Sequence, residues 1–243
     1  MGALANLSYD DSIKQETDSV GGKFKLFDSG VELARIKLAY LQQADSGALG
    51  LNCTFQIGED EYKETFWMTN REGKNYFIDK QSGDKKYLAG FLHADAICCL
   101  AGKKPIAEMD TETKLVKLYN SEAKQEVPTK VDVLDDLTDK EIKLGIIKQK
   151  VFKQEKVDGK YVDTDETREE NTVDKVFRAS DDKTTAEIRA KAEEATFINV
   201  WKERWEGQIK DRTKNGPKKA AGKAGAPKPG AAAGKATSSL FDD

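Results

Sequence analysis

The chain has 243 residues with 34% charged and 38% hydrophobic side chains, which is polar for a globular protein but too apolar for disorder throughout. Its net charge of −3 is unevenly distributed, because residues 1–211 hold 33 of the 40 bases but 41 of the 43 acids. An acidic body argues against nonspecific coating of duplex nucleic acid, although a groove can still carry a positive local field.

An irregular lead-in, residues 1–30, precedes three predicted strands in which apolar and polar side chains alternate. The strands are joined by turns that contain Gly47 and Gly58, which predicts an antiparallel meander. The lead-in lacks the basic segment and apolar core of a signal peptide, and no apolar run approaches the ~18 residues of a transmembrane helix, so we expect a cytoplasmic protein. The predicted strands are Val31 to Leu41, Leu51 to Ile57 and Tyr62 to Thr69.

A helix is predicted from Lys86 to Ala101, after a loop rich in Lys, Gly and aromatic residues. Gly102 follows it at the position where a left-handed glycine commonly ends a helix. Residues 111–134 mix polar and apolar types, and Val127-Pro128 predicts an extended or edge segment there. The helix would bury one face, made of Leu88, Phe91, Leu92, Ala96 and Cys99.

A long β-hairpin is predicted around Asp158-Gly159, a strong two-residue turn signal between two β-like segments. The first segment runs from Ile142 to Val157, with Gly145 as a candidate bulge. The second runs from Lys160 to Arg168, and Thr172 to Ala179 continues the sheet.

A closing helix is predicted over residues 184–206, because Thr184 and Glu187 form a capping box at its start. Trp201 and Trp205 lie one turn apart on its apolar face, and we expect them to pack in the core. The whole element order predicts a mainly β fold with flanking helices (α+β). A helix between a three-stranded meander and a later hairpin is the order of an OB-fold, so residues 31–210 are predicted to form an OB-fold-like antiparallel barrel with a long hairpin.

The last part of the chain, residues 211–243, is predicted to be a disordered basic tail. Its arm, residues 212–236, carries seven Lys or Arg and no acid among many Gly, Ala and Pro. The arm tethers a short acidic-aromatic tip that has nothing local to pack against. We therefore expect the tip to bind a partner protein through Leu240, Phe241, Asp242 and Asp243.

Few residues suit catalysis. The chain has one histidine, and its three cysteines fit a reduced core rather than a disulfide framework. No Gly-rich phosphate loop or nucleophile elbow is present. Acidic clusters at residues 132–139 and 163–170 could hold Mg²⁺, although such runs are usually solvated loops. We therefore expect no enzymatic activity, no cofactor and no metal.

The polar faces of the predicted strands combine basic and aromatic side chains, which single-stranded nucleic acid needs for phosphate contact and base stacking. Arg35 and Lys37 share one face of the first strand, and Lys63 and Trp67 share one face of the third. Alternatively, the aromatic residues pack beneath the helix and the lysines only solubilise strand edges. We favour nucleic-acid contact, and the candidate residues are Arg35, Lys37, Lys63, Trp67, Arg71, Lys74, Tyr76, Phe77, Lys148, Lys150, Phe152 and Lys153.

Four features of the chain together resemble the single-stranded DNA-binding proteins of tailed bacteriophages. They are the OB-like body, the basic-aromatic faces, the Gly/Ala/Pro/Lys linker and the Phe that is followed by acids. The segment DKVFRASDDKTTAEIRAKAEEATFINVWKER, Asp174 to Arg204, is also similar to such phage replication proteins. The resemblance implies an OB-fold groove that binds single-stranded DNA (ssDNA). It also implies a tip that recruits replication and recombination partners or competes with DNA for the groove. The chain departs from that pattern because its arm is basic and only Asp242 and Asp243 follow Phe241.

These features predict a non-enzymatic ssDNA-binding protein without sequence preference, acting in phage DNA replication, recombination or transcription in the host cytoplasm. Self-association is left open. Two alternatives also stay open: a protein-binding adaptor such as a polymerase cofactor, and a metal-dependent nuclease that uses the acidic clusters.

Overall fold

The computed structural model describes residues 25–120, 123–157, 160–214 and 216–217. Within them the chain is mainly β with flanking helices, which confirms the predicted fold class at this level. Most of the predicted tail, its tip included, lies outside the described residues, as do residues 1–24 of the lead-in. The strands are β1 (Gly30–Gln43), β2 (Leu49–Ile57), β3 (Asp60–Trp67), β4 (Tyr76–Ile78), β5 (Lys85–Tyr87), β6 (Glu112–Asn120), β7 (Gln125–Val133), β8 (Glu141–Val157), β9 (Lys160–Arg178) and β10 (Ile209–Asp211).

The helices of the described ranges are short: α1 (Ala89–Ile97), α2 (Thr185–Arg189) and α3 (Phe197–Trp205). α1 continues directly into a wide π-helical turn, Cys98–Gly102. None of these helices has the length and apolar character needed to cross a lipid bilayer.

The first three strands form the predicted antiparallel meander, since β1 pairs with β2 and β2 with β3. Their predicted alternation of side chains is confirmed for β2, β3 and the first part of β1, where one face is buried in the main hydrophobic core. Beyond Ile36 it is wrong for β1, because Ala39 rather than Leu38 faces that core. The register shifts between Ile36 and Leu38, which makes Lys37 the extra residue of a β-bulge. The buried face includes Ala34, Ile36, Leu51, Cys53, Phe55, Tyr62 and Phe66.

The predicted long hairpin is also confirmed as β8 and β9, whose antiparallel pairing begins with Ile142 opposite Arg178 and continues to the far ends of the two strands. The register shifts between Gly145 and Ile146, but the extra residue of this bulge is Asp174 on β9 and not the predicted Gly145. A Cβ at Gly145 would lie 3.0 Å from two ring atoms of Trp201, so glycine lets α3 pack closely on β8. Trp201 is 3% exposed, which confirms its predicted place in the core.

The sheet stays open in the described part of the chain and does not close into the predicted barrel. Its strand order is β10-β8-β1-β2-β3, with β9 paired to the outer side of β8. Where β3 approaches β9, the Glu64 carboxylate accepts hydrogen bonds from Val173 N–H (2.8 Å) and the Thr172 hydroxyl (3.0 Å). A side chain therefore bridges the gap that a backbone ladder would fill in a closed barrel. The Tyr62 hydroxyl donates to the same carboxylate.

The predicted buried face of the first helix is right for Phe91 and Ala96, which pack against the main core, but wrong in its centre. Leu92 is 50% exposed, whereas Ala94, Ile97 and Cys98 are buried. The reason is Gly90, which lies so close to β3 that a Cβ there would be 2.2 Å from the Trp67 carbonyl oxygen. This contact sets the orientation of α1 about its own axis. A sequence pattern based on apolar residues does not identify a glycine as the residue that faces the sheet.

The predicted glycine cap of that helix is also wrong, because Lys103 and not Gly102 adopts the left-handed conformation, with φ of 62°. Gly102 instead provides space, since a Cβ there would lie 3.1 Å from Met109 Cε and from Leu137 Cδ2.

The single closing helix predicted over residues 184–206 is two helices. The Thr184–Glu187 capping box starts α2 as predicted. The chain then leaves the helix at Lys191, which has a φ of 54°. The Glu187 carboxylate accepts hydrogen bonds from Thr196 N–H and Phe197 N–H at 2.8 Å each, so it also holds the start of α3.

Residues 111–134, predicted only as a mixed zone, form the antiparallel hairpin β6–β7. Pro128 lies in β7 opposite Lys117, consistent with the extended segment expected there. Tyr40 opposite Val133 is the register pair that joins this hairpin to β1.

Candidate nucleic-acid interface

The outer face of the meander presents Trp67, whose side chain is 41% exposed. Its position is fixed by Gly50, its partner on β2. A Cβ at Gly50 would lie 2.9 Å from Trp67 Cε3 and 2.9 Å from Thr65 Cγ2, so the indole rests where only glycine leaves room. An aromatic ring held in this way keeps one side available to a ligand.

Polar side chains are ordered beside Trp67. Asn52 donates hydrogen bonds to Gln42 Oε1 (3.1 Å) and Thr65 Oγ1 (2.7 Å), which links all three meander strands. These groups are adjacent to the indole on the outer face, because Gln42 pairs with Gly50 and Gly50 pairs with Trp67. The face therefore offers a stacking surface next to hydrogen-bonding groups.

The three predicted phosphate-binding cations of the meander lie on its exposed surface, and each faces a carboxylate. Arg35 is 3.4 Å from Glu141, and Lys63 is 3.5 Å from Glu61. Lys37, the bulge residue, is 4.0 Å from Asp139. Because both members of each pair are well exposed, the pairs are weak and a phosphate can replace the carboxylate.

The short hairpin β4–β5 adds further exposed aromatic residues. Tyr76 lies opposite Tyr87 in the register, and the Lys85 ammonium is 4.9 Å from the centre of the Tyr76 ring. Phe77 is 46% exposed and Tyr87 57% exposed. Tyr87 and Lys85 were not among the predicted site residues, although they lie where the predicted loop rich in Lys, Gly and aromatic residues meets the predicted helix.

This hairpin is fastened to the same end of the meander as Trp67. Leu88 N–H donates to the Asn75 carbonyl at 2.9 Å, which ties the end of β5 to the start of β4. Two residues later, Gly90 packs on the backbone of Trp67. Trp67 thus adjoins the hairpin, and Trp67, the half-buried Tyr76 and the exposed Tyr87 are called the aromatic platform. Phe77, the neighbour of Tyr76 in β4, lies on the opposite face of the hairpin.

Two predicted cations lie in the loop that enters this hairpin. The Asn70 side chain accepts hydrogen bonds from Glu72 N–H (2.9 Å) and Lys74 N–H (3.0 Å), which shapes the turn. Lys74 is 2.8 Å from Glu72, and this pair raises the Lys74 pKa through the hydrogen bond and the charge of Glu72. Arg71 is exposed on the same turn.

The predicted residues of the long hairpin are not brought to the aromatic platform. β8 pairs with β1 only as far as Ile146 opposite Gly30, so Lys148, Lys150, Phe152 and Lys153 project beyond the first residue of β1. Trp67 lies at the opposite end, where β1 finishes.

Acids of β9 and of the entering segment offset the hairpin cations. Lys148 lies 3.3 Å from Glu169 and 3.6 Å from Asp28, and Lys153 lies 2.7 Å from Glu166. Lys150 faces Glu169 across the strands. Acids therefore offset these cations as they offset the meander cations, and what separates the hairpin cations from the aromatic platform is their position beyond the start of β1.

Cys53 and Cys98 lie in the core, whereas His93 and Cys99 are partly buried. Burial raises the pKa of Cys98 to about 12 and the pKa of Cys53 also well above its ordinary value, so both thiols stay protonated at neutral pH. His93 Nε2 lies 3.0 Å from the Asp174 carbonyl oxygen, and burial lowers its pKa. Among the residues with described positions, no group of three or more His, Cys, Asp or Glu is arranged to hold a metal ion.

No protein-family model and no curated protein matches this chain.

Proposed function

We propose that this chain is a non-enzymatic protein that binds ssDNA without sequence preference. The observation that carries the proposal is the aromatic platform, in which Trp67 is held over Gly50 and remains 41% exposed. Exposed aromatic rings beside cations suit a strand whose bases stack and whose phosphates are charged.

In this proposal the rings stack on bases, each contributing roughly 1–3 kcal/mol, and Arg35, Lys37 and Lys63 bind phosphates. The element order supports an OB-like arrangement, with α1 between the meander and the β8–β9 hairpin. OB-folds bind oligonucleotides across their second and third strands, and β2 and β3 carry Gly50 and Trp67.

The basic arm would add salt-sensitive attraction to the same strand, because it carries seven Lys or Arg and no acid. The tip, Leu240 to Asp243, would recruit partner proteins of phage replication, recombination or transcription. These two parts are proposed from the sequence, since the tip and most of the arm lie outside the described residues.

The test is a titration with oligo-dT at two salt concentrations, followed by tryptophan fluorescence. Wild-type protein is expected to be quenched at low salt, and Trp67→Ala to lose both the quenching and part of the affinity. Trp205→Phe is the matched control, because Trp205 packs against the cluster around Trp201. Absence of any quenching of the wild type at low salt would refute the proposal. A parallel oligo-rU titration gives the preference between DNA and RNA.

The adaptor alternative is favoured by one observation. Ile78 is 62% exposed and Leu92 50% exposed near the platform, and aliphatic side chains bind protein surfaces more readily than bases. A pull-down that survives nuclease treatment and the replacement of Trp67 would support the adaptor. The nuclease alternative is tested by incubating labelled ssDNA with Mg²⁺, since intact substrate removes it.

A further inference from the structure

The β6–β7 hairpin presents two large side chains to solvent on one face of β6. Leu115 is 68% exposed and Tyr119 is 70% exposed. Lys117 lies between them on the same face, because side chains alternate along a strand. Exposed apolar and aromatic side chains on an edge strand commonly mark a contact surface.

Two lysines are neighbours on this face. Lys130 pairs with Leu115 and Pro128 pairs with Lys117, which makes Lys117 and Lys130 diagonal neighbours across the two strands. Neither ammonium group forms an ion pair with another residue that the structure describes. The meander cations, in contrast, each face a carboxylate. Glu126 is also a diagonal neighbour of Lys117, and Asp132 follows Lys130 on the same face, but neither acid is in ion-pair contact with these lysines, so both ammonium groups remain available to an anion.

The hairpin face is continuous with the meander face. A groove between the end of β1 and the hairpin is lined by Gln42, Gln43, Tyr119 and Lys130. Gln42 is in turn the register partner of Gly50, over which Trp67 lies. A nucleic-acid strand that runs across the sheet from Trp67 on β3 therefore crosses β2 and β1 and then reaches this groove.

We infer that the β6–β7 hairpin is a second contact surface for the same single-stranded nucleic acid. This inference rests on the proposed function and extends its site. The paired lysines Lys117 and Lys130 bind a phosphate, and Tyr119 stacks on a base beyond those bound by the aromatic platform. The charge of the lysine pair and the continuity with Trp67 favour a nucleic acid over a protein as the ligand.

A length series of oligo-dT tests the inference, with lengths from about 4 to 16 nucleotides, the range of sites found on single OB-folds. Short oligonucleotides are expected to occupy only the aromatic platform. Tyr119→Ala should leave their affinity unchanged and weaken the longer ones by about 5- to 150-fold, the equivalent of one stacked base. The matched control is Tyr161→Ala on the β8–β9 hairpin, where Tyr161 is 71% exposed.

Charge substitutions give a second readout. Lys117→Gln combined with Lys130→Gln removes one phosphate contact and should reduce the slope of log K against log salt for long oligonucleotides by about 0.7. Glu126 lies opposite Tyr119, so Glu126→Gln should strengthen binding of the same oligonucleotides. Circular dichroism melting confirms that each surface variant is folded.

The inference would be overturned if wild type and Tyr119→Ala had equal affinity at every oligonucleotide length, or if Tyr119→Ala lost affinity equally at every length. It would also be overturned if the hairpin variants lost a protein partner but kept the wild-type affinity for oligonucleotides. Failure of the proposed function looks different, since the wild type would then show no quenching with any oligonucleotide.

Discussion

The indole of Trp67 occupies the space above Gly50, where a Cβ would approach Trp67 Cε3 to 2.9 Å. The pair couples two neighbouring strands on the outer face of the meander. Because the ring is positioned by a missing side chain, its orientation is set before any ligand arrives. Such preorganisation reduces the entropy lost when a base stacks on the ring.

Gly50→Ala should therefore displace the indole. We expect it to lower the free energy of unfolding by about 1–3 kcal/mol through overpacking. It should also weaken ssDNA binding by at most the free energy that one stacked base contributes. Urea unfolding and fluorescence titration measure the two effects. Gly30→Ala is the matched control, since its added Cβ would have no neighbour closer than 3.8 Å. Unchanged emission and affinity in Gly50→Ala would show that the ring does not depend on this space.

Removing the carboxylates that face the meander cations should strengthen binding. Glu141→Gln frees Arg35 and Glu61→Gln frees Lys63, so a phosphate no longer competes with a fixed acid. Because these pairs are exposed, we expect a gain of about two- to fivefold each at low salt, disappearing at high salt.

The comparison variant for that experiment is Glu166→Gln, which frees Lys153 on the long hairpin. We expect no gain from it. An equal gain would place the phosphate contacts on the hairpin rather than on the meander.

The strands of the meander could be predicted from the sequence because one face is buried and side chains alternate with a period of two. The same alternation placed Lys63 and Trp67 on the polar face. The separation of the long hairpin from that face could not be predicted, because it depends on where β8 stops pairing with β1, at Ile146 opposite Gly30. No local pattern encodes that register.

The errors in the helices have a common cause, since contacts between distant segments override local patterns. The contact of Gly90 with the backbone of Trp67 rotates α1. Glu187 binds backbone N–H groups of Thr196 and Phe197, which divides the predicted closing helix. The β6–β7 hairpin was missed because its inner face is only partly buried, apart from Val133, and includes the polar residues Lys114 and Thr129, which weakens the apolar alternation.

Replacing Glu64 should loosen the contact between β3 and β9. Glu64→Ala leaves Val173 N–H without its partner in a buried position, so we expect a loss of about 1–3 kcal/mol in the free energy of unfolding. Chemical denaturation measures the loss, and faster amide hydrogen exchange at Val173 would locate it. Unchanged exchange at that amide would contradict the bridging role.

The pH dependence of the same residue has a definite sign. Burial raises the pKa of Glu64 despite hydrogen bonds from Tyr62, Val173 and Thr172 that lower it. The folded state therefore holds the proton more tightly than the unfolded state, and the contribution of Glu64 to stability falls as pH rises from about 4.3 through the raised pKa. Glu64→Gln should remove this decline. A wild-type minus Glu64→Gln difference that is constant with pH would contradict the shift.

Deleting residues 237–243 should separate DNA binding from partner recruitment. The tip carries only two acids, too few to imitate a nucleic-acid strand, so we expect ssDNA affinity to be unchanged. Capture of partner proteins should be lost. A marked rise in affinity would instead indicate that the tip competes with DNA for the groove.

Protonation of Glu187 at low pH should weaken the contact between the two closing helices, α2 and α3. Although burial raises its pKa, hydrogen bonds from the backbone N–H groups of Thr184, Phe197 and Thr196 lower the pKa of Glu187 to about 2. A lowered pKa means that the stabilisation is complete above the unfolded value of about 4.3 and is lost as pH falls toward 2. Glu187→Gln should therefore cost about 1–2 kcal/mol at neutral pH and show a smaller loss on acidification. Glu194→Gln, at an exposed position between the helices, is the control and should match the wild type at every pH.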